Sequence, residues 1–419
     1  MLAWGPEEVA AAAGARLLAT RTQGAGGPAR VTIDSRDVGA GDLFVGLPGE
    51  RVDGGRFAAT ALGAGAWGAL VAPEHAEGLD GVVLAAEDPL RALQDLARAW
   101  RRALGARVIG ITGSTGKTST KDILYGMLRP HRRTVATPQN LNTEIGLPLT
   151  VLSAPADTEV LVLEMGMRGE GQIAELARIA EPDVGVIVSI GPVHLELLGT
   201  VERVAAAKAE LLAALPGGGT AVVPAGEPLL EGRIPAHVEV VTFGPGGDVA
   251  DLPGIALPFD AAHLRRNAMA ALAAARAVGV RPAGAIDVAL SDRRGQRIEL
   301  ASGVVVVDDC YNANPMSMRA ALDELARAPG RRIAVLGDML ELGPDEVAFH
   351  EEIGAYARDR ADVLVTVGPL AAHMHGDHAT ADAAEAAAAV SGILAPGDTV
   401  LVKASRGVGL QAVAEALVG

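Results

Sequence analysis

The residues best suited to bind nucleotide phosphates are Lys117 and Thr118, which follow a glycine-rich turn after an apolar strand. Backbone N–H groups of such a turn, at the start of a helix, point toward phosphate oxygens. The lysine places a compact positive charge on the outer phosphates, and the threonine hydroxyl suits Mg²⁺. A turn without a ligand is the alternative, because Ile111 stands where the strict phosphate-loop spacing wants glycine. The phosphate-binding residues predicted on this basis are Thr112, Gly113, Ser114, Thr115, Gly116, Lys117, Thr118 and Ser119.

Two further residues lie where a metal ion would be held beside the phosphates. Glu164 follows the apolar run Val160–Leu163, and His194 follows the run Val184–Ile190. Ligands of open α/β sheets bind outside the carboxyl ends of the strands, so both side chains suit a metal site. The alternatives are an exposed glutamate and a solvated loop histidine. Lys208 lies on an alanine-rich helix, where periodicity alone does not distinguish it from a solvated lysine.

Amides and carboxylates collect after other predicted strands as well. Asn140 and Asn142 alternate on an extended segment, where their amides suit sugar or phosphate oxygens, with an Asn-rich turn as the alternative. Further polar side chains follow the strands predicted in the last part of the chain. Each of them, taken singly, could belong to a solvated loop at a strand end. Together they could face one cleft, where a reaction of ATP with two substrates belongs. These groups are Asp308, Tyr311, Asn312 and Asn314 after one strand, Asp338 and Glu341 after the next, and Lys403 at the last.

The order of apolar runs indicates which elements position these residues. Strand and helix patterns alternate from Arg107 onward, which predicts a mostly parallel sheet covered by helices on both faces. The alternation restarts near Arg294, which predicts a second, smaller doubly wound α/β unit. We therefore predict an α/β protein with three domains: a small α/β domain over residues 1–86, a central phosphate-loop domain over 87–292 and a Rossmann-like domain over 293–419. The predicted elements include helices over Lys117–Leu128, Gln172–Ala180, Val201–Leu215 and His263–Val278, and a strand over Val363–Val367.

Composition excludes several classes of protein. The 419 residues carry a formal net charge of −15, which argues against a general nucleic-acid binder. The single cysteine, Cys310, excludes a disulfide framework and a cysteine-based zinc site. The first residues include Glu7 and Glu8 and predict an amphipathic helix rather than a signal peptide. No apolar stretch is long enough to span a membrane, so we expect a cytoplasmic protein. Lysine is scarce among the 36 basic residues, and its four positions are Lys117, Lys121, Lys208 and Lys403.

As a set, these motifs resemble those of the Mur ligase family, ATP-dependent enzymes that form amide bonds in bacterial cell-wall precursors. The resemblance covers nearly the whole chain. It is most specific in three motifs, which begin at Asn140, Asp308 and Gly337. The segments that carry it are Asp34-Ser-Arg36, Gly41-Asp-Leu-Phe44, Thr112–Thr118, Asn140–Pro148, Glu164-Met-Gly166, Ala207-Lys-Ala-Glu210, Asp308–Pro315, Gly337–Gly343 and Lys403–Arg406.

The resemblance implies a ligase that joins D-alanyl-D-alanine to UDP-N-acetylmuramoyl-tripeptide through an acyl phosphate, with ATP and Mg²⁺, during peptidoglycan synthesis. It also implies a cytoplasmic monomer. In this family the lysine that Lys208 matches is carbamylated by CO₂. The resemblance assigns the metal to Thr118, Glu164, His194 and Lys208, and catalysis to Lys117, Lys208, His194 and Glu164. The residues that it implies bind the nucleotide are Asn267, Arg294, Asp308, Tyr311 and Asn312. Those that it implies bind the substrates are Ser35, Arg36, Asn140, Asn142, Asn314 and Asp338.

The chain departs from the family pattern at two places that would contact ligands. Leu264 stands where matching ligases usually have an asparagine, and leucine cannot hydrogen-bond adenine. Gly55 replaces a histidine that often follows Asp53-Gly54. One alternative function is a related Mur-type or folylpolyglutamate-type ligase with another amino-acid substrate. Another is a phosphate-loop ATPase coupled to a partner protein, although such a protein should lack the polar strand ends of the last domain.

Overall fold

A computed structural model describes residues 4–20 and 26–418 of the chain. Within that part, the N-terminal region forms a five-stranded sheet of order β1-β5-β4-β3-β2. Strand β1 is antiparallel to β5, and the other neighbours are parallel. Its elements are α1 (Pro6–Ala13), β1 (Arg16–Thr20), β2 (Arg30–Thr32), β3 (Asp42–Val45), α2 (Ala58–Gly63), β4 (Gly68–Val71) and β5 (Val82–Ala85).

The central region forms a six-stranded, wholly parallel sheet of order β11-β10-β9-β6-β8-β7 in the described residues. A short parallel pair, β12 and β13, lies beside it. The elements are α3 (Pro89–Leu104), β6 (Arg107–Thr112), α4 (Lys117–Leu128), β7 (Thr134–Ala136), α5 (Gly146–Ser153), β8 (Val160–Glu164), α6 (Gln172–Ala180), β9 (Val184–Ile187), α7 (Leu195–Leu198), α8 (Val201–Ala213), β10 (Thr220–Pro224), β11 (Glu239–Phe243), β12 (Ile255–Ala256), α9 (Ala262–Ala277) and β13 (Gly284–Ala285).

The last region forms another six-stranded sheet in the described residues, of order β14-β15-β19-β16-β17-β18. Only β14 runs antiparallel to its neighbour in this sheet, within the part of the chain that the structure describes. The elements are β14 (Gln296–Glu299), β15 (Val305–Asp308), α10 (Pro315–Leu325), β16 (Arg332–Gly337), α11 (Glu346–Arg358), β17 (Val363–Val367), β18 (His378–Thr380), α12 (Ala383–Ser391), β19 (Thr399–Lys403) and α13 (Gln411–Val418).

Helices cover both faces of the central sheet, as its continuous apolar strands require. On one face, α4 and α9 bury apolar side chains against β6, β8 and β9. On the other face, α3, α5, α6 and α8 share a core that continues into the N-terminal sheet. The strand ends that carry polar side chains are therefore held by rigid elements on both sides. No helix in the described part of the chain is long and apolar enough to cross a membrane.

The predicted α/β class with three successive sheets is confirmed. The helices predicted over Lys117–Leu128 and Gln172–Ala180 and the strand over Val363–Val367 match residue for residue. The N-terminal helix, predicted over residues 1–19, is confirmed over Pro6–Ala13 but is wrong beyond it, because Gly14 adopts a left-handed conformation that ends α1. The following residues form β1, whose backbone groups pair with β5. Residues 1–3 of that predicted helix lie outside the described part.

Two predicted segments near the phosphate loop also have different structures. The strand predicted over Val184–Ile190 ends at Ile187. Beyond it, Ser189 leaves the ladder to hydrogen-bond the phosphate loop. The segment with Asn140 and Asn142 is a tight turn rather than an extended strand, because the Asn142 N–H donates to the Asn140 carbonyl over 2.8 Å. The predicted extended conformation is therefore wrong, whereas the binding role of the two amides stays a prediction.

Candidate active site

The glycine-rich turn between β6 and α4 wraps around the start of the helix. Gly116 has φ +80°, a conformation that favours glycine, and a Cβ at this position would lie 2.7 Å from the Asn267 Oδ1. Lys117 Nζ donates to the Gly113 carbonyl over 2.7 Å, which folds the ammonium back over the turn. Desolvation lowers the pKa of Lys117 and the charge of Glu164 opposes this shift. The turn thus places its ammonium and the N–H groups of α4 together.

The extension of β9 fixes the shape of this turn. The Ser114 N–H donates to the Ser189 carbonyl over 2.9 Å, and the Thr115 N–H donates to Ser189 Oγ over 2.8 Å. The Gly191 N–H in turn donates to Ser114 Oγ over 3.0 Å. These bonds hold the phosphate loop without using the N–H groups at the start of α4. Of the predicted loop residues, Ser114 to Ser119 line the large cleft described below, whereas Thr112 and Gly113 do not.

Glu164, the last residue of β8, presents an unused carboxylate oxygen to the interior. Its side chain is only 2% exposed. Oε1 accepts a hydrogen bond from Asn142 Nδ2 over 2.8 Å, but Oε2 is buried without a hydrogen-bond partner. A buried carboxylate oxygen without a donor is costly unless a cation occupies the site. The geometry therefore fits a metal ligand, and it explains why Asn142 belongs with Glu164.

His194 lies at the start of α7, where it contacts the last domain. Its φ is +54°, and its Nδ1 lies 2.5 Å from Glu341 Oε2. Because a carboxylate can only accept, Nδ1 carries the proton and Nε2 keeps its lone pair. Burial lowers the pKa of His194 below its ordinary value, and the carboxylate of Glu341 offsets only part of this shift. The guanidinium of Arg168 pairs with the other oxygen of Glu341 over 2.8 Å.

Lys208 is an uncompensated amine in the interior of the central domain. It lies on α8 and is 2% exposed. Its Nζ has no hydrogen bond or ion pair with any described residue. Burial, with a further contribution from the charge of Lys117, lowers the pKa of Lys208 well below its ordinary value. Burial of this kind favours the neutral, nucleophilic form of an amine.

Arg294 extends from the last domain toward the phosphate loop. Its guanidinium lies over the ring of Tyr311, with 4.0 Å between its Cζ and the ring centroid. Its Nε is buried and has no hydrogen-bond partner. The charge of Arg294 contributes to the lowered pKa of Lys117, so the two cations lie near each other. Asn267 of α9 is buried against the phosphate loop, and Leu264 of the same helix also lines the cleft.

The polar strand ends of the last sheet divide into groups that face the cleft and groups that hold loops. Asp309, Tyr311, Asn312, Asn314, Glu341 and Lys403 line the cleft. Asp308 instead accepts the Cys310 N–H over 3.1 Å within its own turn. Asp338 is buried and accepts the Ala371 N–H over 2.6 Å, so it braces the loop that carries Glu341. The structure thus places Asp308 and Asp338 outside the cleft lining and Glu341, which resemblance did not single out, within it.

Ser35 and Arg36 lie in the turn that follows β2, and they do not line this cleft. Arg36 is exposed and pairs with Asp34 over 2.7 Å. At the same edge of the N-terminal sheet, His75 Nε2 lies 2.9 Å from Asp53 Oδ2. A Cβ built on Gly55 would overlap the His75 ring, so this histidine fills the space beside Gly55. Sequence reasoning noted the missing histidine side chain at Gly55 but did not find His75, which is twenty residues further along the chain.

A cleft of about 1600 Å³ lies between the central and last domains. Among the described residues no group of three or more His, Cys, Asp and Glu side chains could hold a metal alone. Magnesium usually keeps waters and phosphate oxygens beside one or two protein ligands, so Thr118 and Glu164 suffice for this pattern. The predicted site residues that line the cleft are Ser114, Thr115, Gly116, Lys117, Thr118, Ser119, Asn140, Asn142, Glu164, His194, Asn267, Arg294, Tyr311, Asn312 and Asn314.

Comparison with known proteins gives a consistent set of matches. Family models described as "Mur ligase family, catalytic domain", "Mur ligase middle domain" and "Mur ligase, glutamate ligase domain" match residues 29–101, 111–257 and 293–406. The chain is 38% identical to the UDP-N-acetylmuramoyl-tripeptide–D-alanyl-D-alanine ligase of Bacillus subtilis (strain 168), over 93% of both chains.

Two solved structures are similar over nearly their whole length. A crystal structure of MurF from Acinetobacter baumannii has a TM-score of 0.89 and 28% identity, covering 99% of both chains. MurF ligase from Thermotoga maritima in complex with ADP has a TM-score of 0.82 and 32% identity, covering 92% of this chain and 96% of that one. These matches, which agree with the geometry of the cleft, show that the chain belongs to the Mur ligase family.

Proposed function

We propose that the chain is an ATP-dependent ligase that joins D-alanyl-D-alanine to UDP-N-acetylmuramoyl-tripeptide, with release of ADP and phosphate. The observation that carries this proposal is the shared cleft. The phosphate loop and Glu164 face it from the central domain, and Arg294 and Tyr311 face it from the last domain. The similarity to the Bacillus subtilis ligase over 93% of the chain supports the choice of substrates.

The first chemical step is activation of the terminal carboxylate of the tripeptide. A carboxylate oxygen attacks the γ-phosphorus of ATP, a new O–P bond forms, the bond to the β-phosphate oxygen breaks, and ADP leaves. Two anions must approach each other in this step, so positive charge is required at the cleft. Lys117 and Arg294 supply that charge, and desolvation strengthens its effect. Mg²⁺ held by Thr118, by the free Oε2 of Glu164 and by phosphate oxygens would offset the remaining negative charge.

The second step forms the amide. The amine of D-alanyl-D-alanine attacks the carbonyl carbon of the acyl phosphate, phosphate leaves, and the nitrogen loses a proton. Water would hydrolyse the acyl phosphate, so the cleft must exclude water during the reaction. The contact of His194 and Arg168 with Glu341 draws the last domain over the central one. We place the dipeptide on the side of the cleft that the last domain supplies.

We further propose that Lys208 carries a carbamate. The nitrogen lone pair of a neutral lysine adds to CO₂, an N–C bond forms, and one amine proton passes to solvent. A buried amine that lacks a hydrogen-bond partner and has a lowered pKa favours this reaction. The carbamate would offset the charge of Lys117 and give the metal site a further anionic oxygen. Intact-protein mass measurement and ¹³C NMR with labelled bicarbonate test this; both must lose the carbamate signal in Lys208→Met.

The same proposal includes the domain boundaries, the cellular location of the protein and its oligomeric state. We propose that the domains span 1–86, 87–292 and 293–419, with the uridine diphosphate end of the substrate bound to the first domain near Ser35 and Arg36. The resemblance to the Mur ligase family implies a monomer, and we keep that assembly as part of the proposal. Consumption of ATP and of a nucleotide-linked precursor fits a cytoplasmic enzyme.

Phosphate release measured with each substrate alone and with both tests the proposed function. Sustained release should require ATP, UDP-N-acetylmuramoyl-tripeptide and D-alanyl-D-alanine together, and the pentapeptide product should appear in equal amount. Replacing the dipeptide by diamino acids or by glutamate should abolish sustained turnover. ATP turnover that ignores both substrates would contradict the proposal, and turnover with glutamate instead of the dipeptide would point to the folylpolyglutamate type.

A further inference from the structure

One helical turn beyond Lys117, a second lysine is buried where the reaction does not require it. Lys121 is 3% exposed, yet it lies on α4 at the centre of the phosphate-binding domain. Its Nζ donates to the Thr137 carbonyl over 2.8 Å and lies 3.1 Å from Asp122 Oδ1. Burying an ammonium and a carboxylate costs desolvation free energy, and an apolar pair of the same size often stabilises a protein at least as well. Stability alone therefore does not account for this pair.

Thr137, which accepts the hydrogen bond from Lys121, is itself hydrogen-bonded to Glu164. Thr137 is 1% exposed and follows β7. Its N–H donates to the Val162 carbonyl over 2.9 Å, which continues the ladder between β7 and β8. Its Oγ1 accepts the backbone N–H of Glu164 over 2.9 Å. The ammonium of Lys121 thus holds one side of Thr137 while the other side holds the backbone of the candidate metal ligand.

The other partner of Lys121, Asp122, is bonded to the segment just before the last domain. Asp122 Oδ2 accepts the Ser291 N–H over 2.8 Å. Ser291 lies three residues before Arg294, the cation that stacks on Tyr311 and faces the phosphate loop. A single pair of adjacent residues on α4 is therefore bonded both to the strand end with Glu164 and to the segment that delivers Arg294.

We propose that Lys121, with Asp122 and Thr137, is a positioning unit that sets Glu164 and Arg294 relative to the phosphate loop. The inference rests on the proposed role of Glu164 as a metal ligand. A lysine suits the place because its compact ammonium offers three donors to two acceptors on different sides. Residues that orient a metal ligand through hydrogen bonds typically change metal affinity about 10- to 100-fold when they are lost.

The test measures Mn²⁺ binding to the full chain with ADP present, by electron paramagnetic resonance, and the Mg²⁺ concentration for half-maximal turnover. Thr137→Val removes the hydroxyl that accepts the Glu164 N–H and keeps the side-chain shape. We expect about tenfold weaker Mn²⁺ binding and a similar rise in the Mg²⁺ requirement. The double variant Lys121→Met, Asp122→Asn removes both charges without leaving either one unpaired, and we expect the same direction of change.

Thr150→Val is the matched control. Thr150 is equally buried in the central domain and its Oγ1 donates to the Gly146 carbonyl over 3.0 Å, but it has no bond to Glu164. The control should lose stability and keep wild-type Mn²⁺ affinity. If folded Thr137→Val and the double variant bind Mn²⁺ as tightly as wild type, the positioning role is overturned. A wild-type protein that makes no pentapeptide would instead overturn the proposed function, so the two failures are distinguishable.

Discussion

At the scale of single residues, the cation of the phosphate loop has the most specific geometry. Lys117 Nζ donates to the Gly113 carbonyl within the turn, a position that suits the compact ammonium of lysine better than the larger, planar guanidinium of arginine. We expect Lys117→Met and Lys117→Arg to lower kcat by a factor on the order of 10² or more, because both lose a preorganised donor to the transferring phosphate. Steady-state kinetics check this, and a fully active Lys117→Arg would contradict the geometry.

Gly116 gives a second prediction at this scale. Its φ of +80° and its approach to Asn267 leave no space for a side chain. Gly116→Ala should therefore lose about 1–2 kcal/mol from the left-handed backbone alone, with a further loss from the displaced Asn267, and should weaken ATP binding. Gly63→Ala is the control, because this helical glycine has open space around its Cβ position. Urea unfolding and calorimetric titration with ADP separate the two effects; equal behaviour of the two variants would argue against the clash.

Residue types and local patterns predicted many residues of the site. They did not predict which side chains from distant parts of the chain contact each other. Lys117, Glu164 and Arg294 were found from strand and helix patterns or from resemblance, and all three line the cleft. Glu341 lies 147 residues from His194, and no local pattern predicts that their side chains meet. The hydrogen bond from the Ala371 N–H to Asp338 could not be predicted either, because the two residues are also far apart in the chain. Hydrogen bonds between distant loops depend on how the domains pack, which single-sequence periodicity does not contain.

At the scale of elements, long periodic helices were predicted best because their apolar spacing repeats over several turns. Strand ends were predicted less well. β9 stops at Ile187 although apolar residues continue, because Ser189 bonds to the phosphate loop instead of the ladder. Edge strands such as β14 and β18 are mostly exposed and have mixed sequences, so they were not predicted. The elements that failed are those whose partners are decided by tertiary contacts.

The loop after β16 depends on a neutral histidine, which predicts how stability varies with pH. His350 is fully buried; its Nδ1–H donates to the Glu346 carbonyl over 2.6 Å, and its Nε2 accepts the Met339 N–H over 2.9 Å. Burial lowers the pKa of His350 below its ordinary value. The unfolded chain therefore binds this proton first as the pH falls. The contribution of His350 to stability is complete above about pH 6.5 and decreases below it, until the lowered pKa of the folded state is passed.

Urea unfolding of wild type and of His350→Asn at several pH values measures this contribution. The difference in unfolding free energy between the two proteins should be largest above about pH 7 and shrink as the pH falls below about 6.5. His378→Asn serves as the control, since His378 is exposed on β18. A difference that grows toward acid would show that His350 is charged in the folded protein.

At the scale of the whole molecule, several polar contacts between the central and last domains converge on one carboxylate, that of Glu341. Glu341 receives Arg168 and His194 on its two oxygens, and the Glu196 N–H bonds to its carbonyl over 3.4 Å. Both His194 and Glu341 have positive φ, so each adopts a conformation that L residues rarely hold without support. The same carboxylate therefore links the candidate metal site to the position of the last domain.

This link predicts that removing one carboxylate opens the molecule. The pairs are partly exposed, so their loss should cost about 1 kcal/mol, which shifts the balance between closed and open arrangements about fivefold. Small-angle X-ray scattering of ligand-free Glu341→Ala should give a larger radius of gyration than wild type, and saturating ATP and UDP-tripeptide should reduce the difference. Glu351→Ala removes an exposed glutamate of α11 that has no ion pair with any described residue, and it should scatter as wild type does. Equal radii for Glu341→Ala and Glu351→Ala would mean that domain position is set by the linker after α9 rather than by this carboxylate.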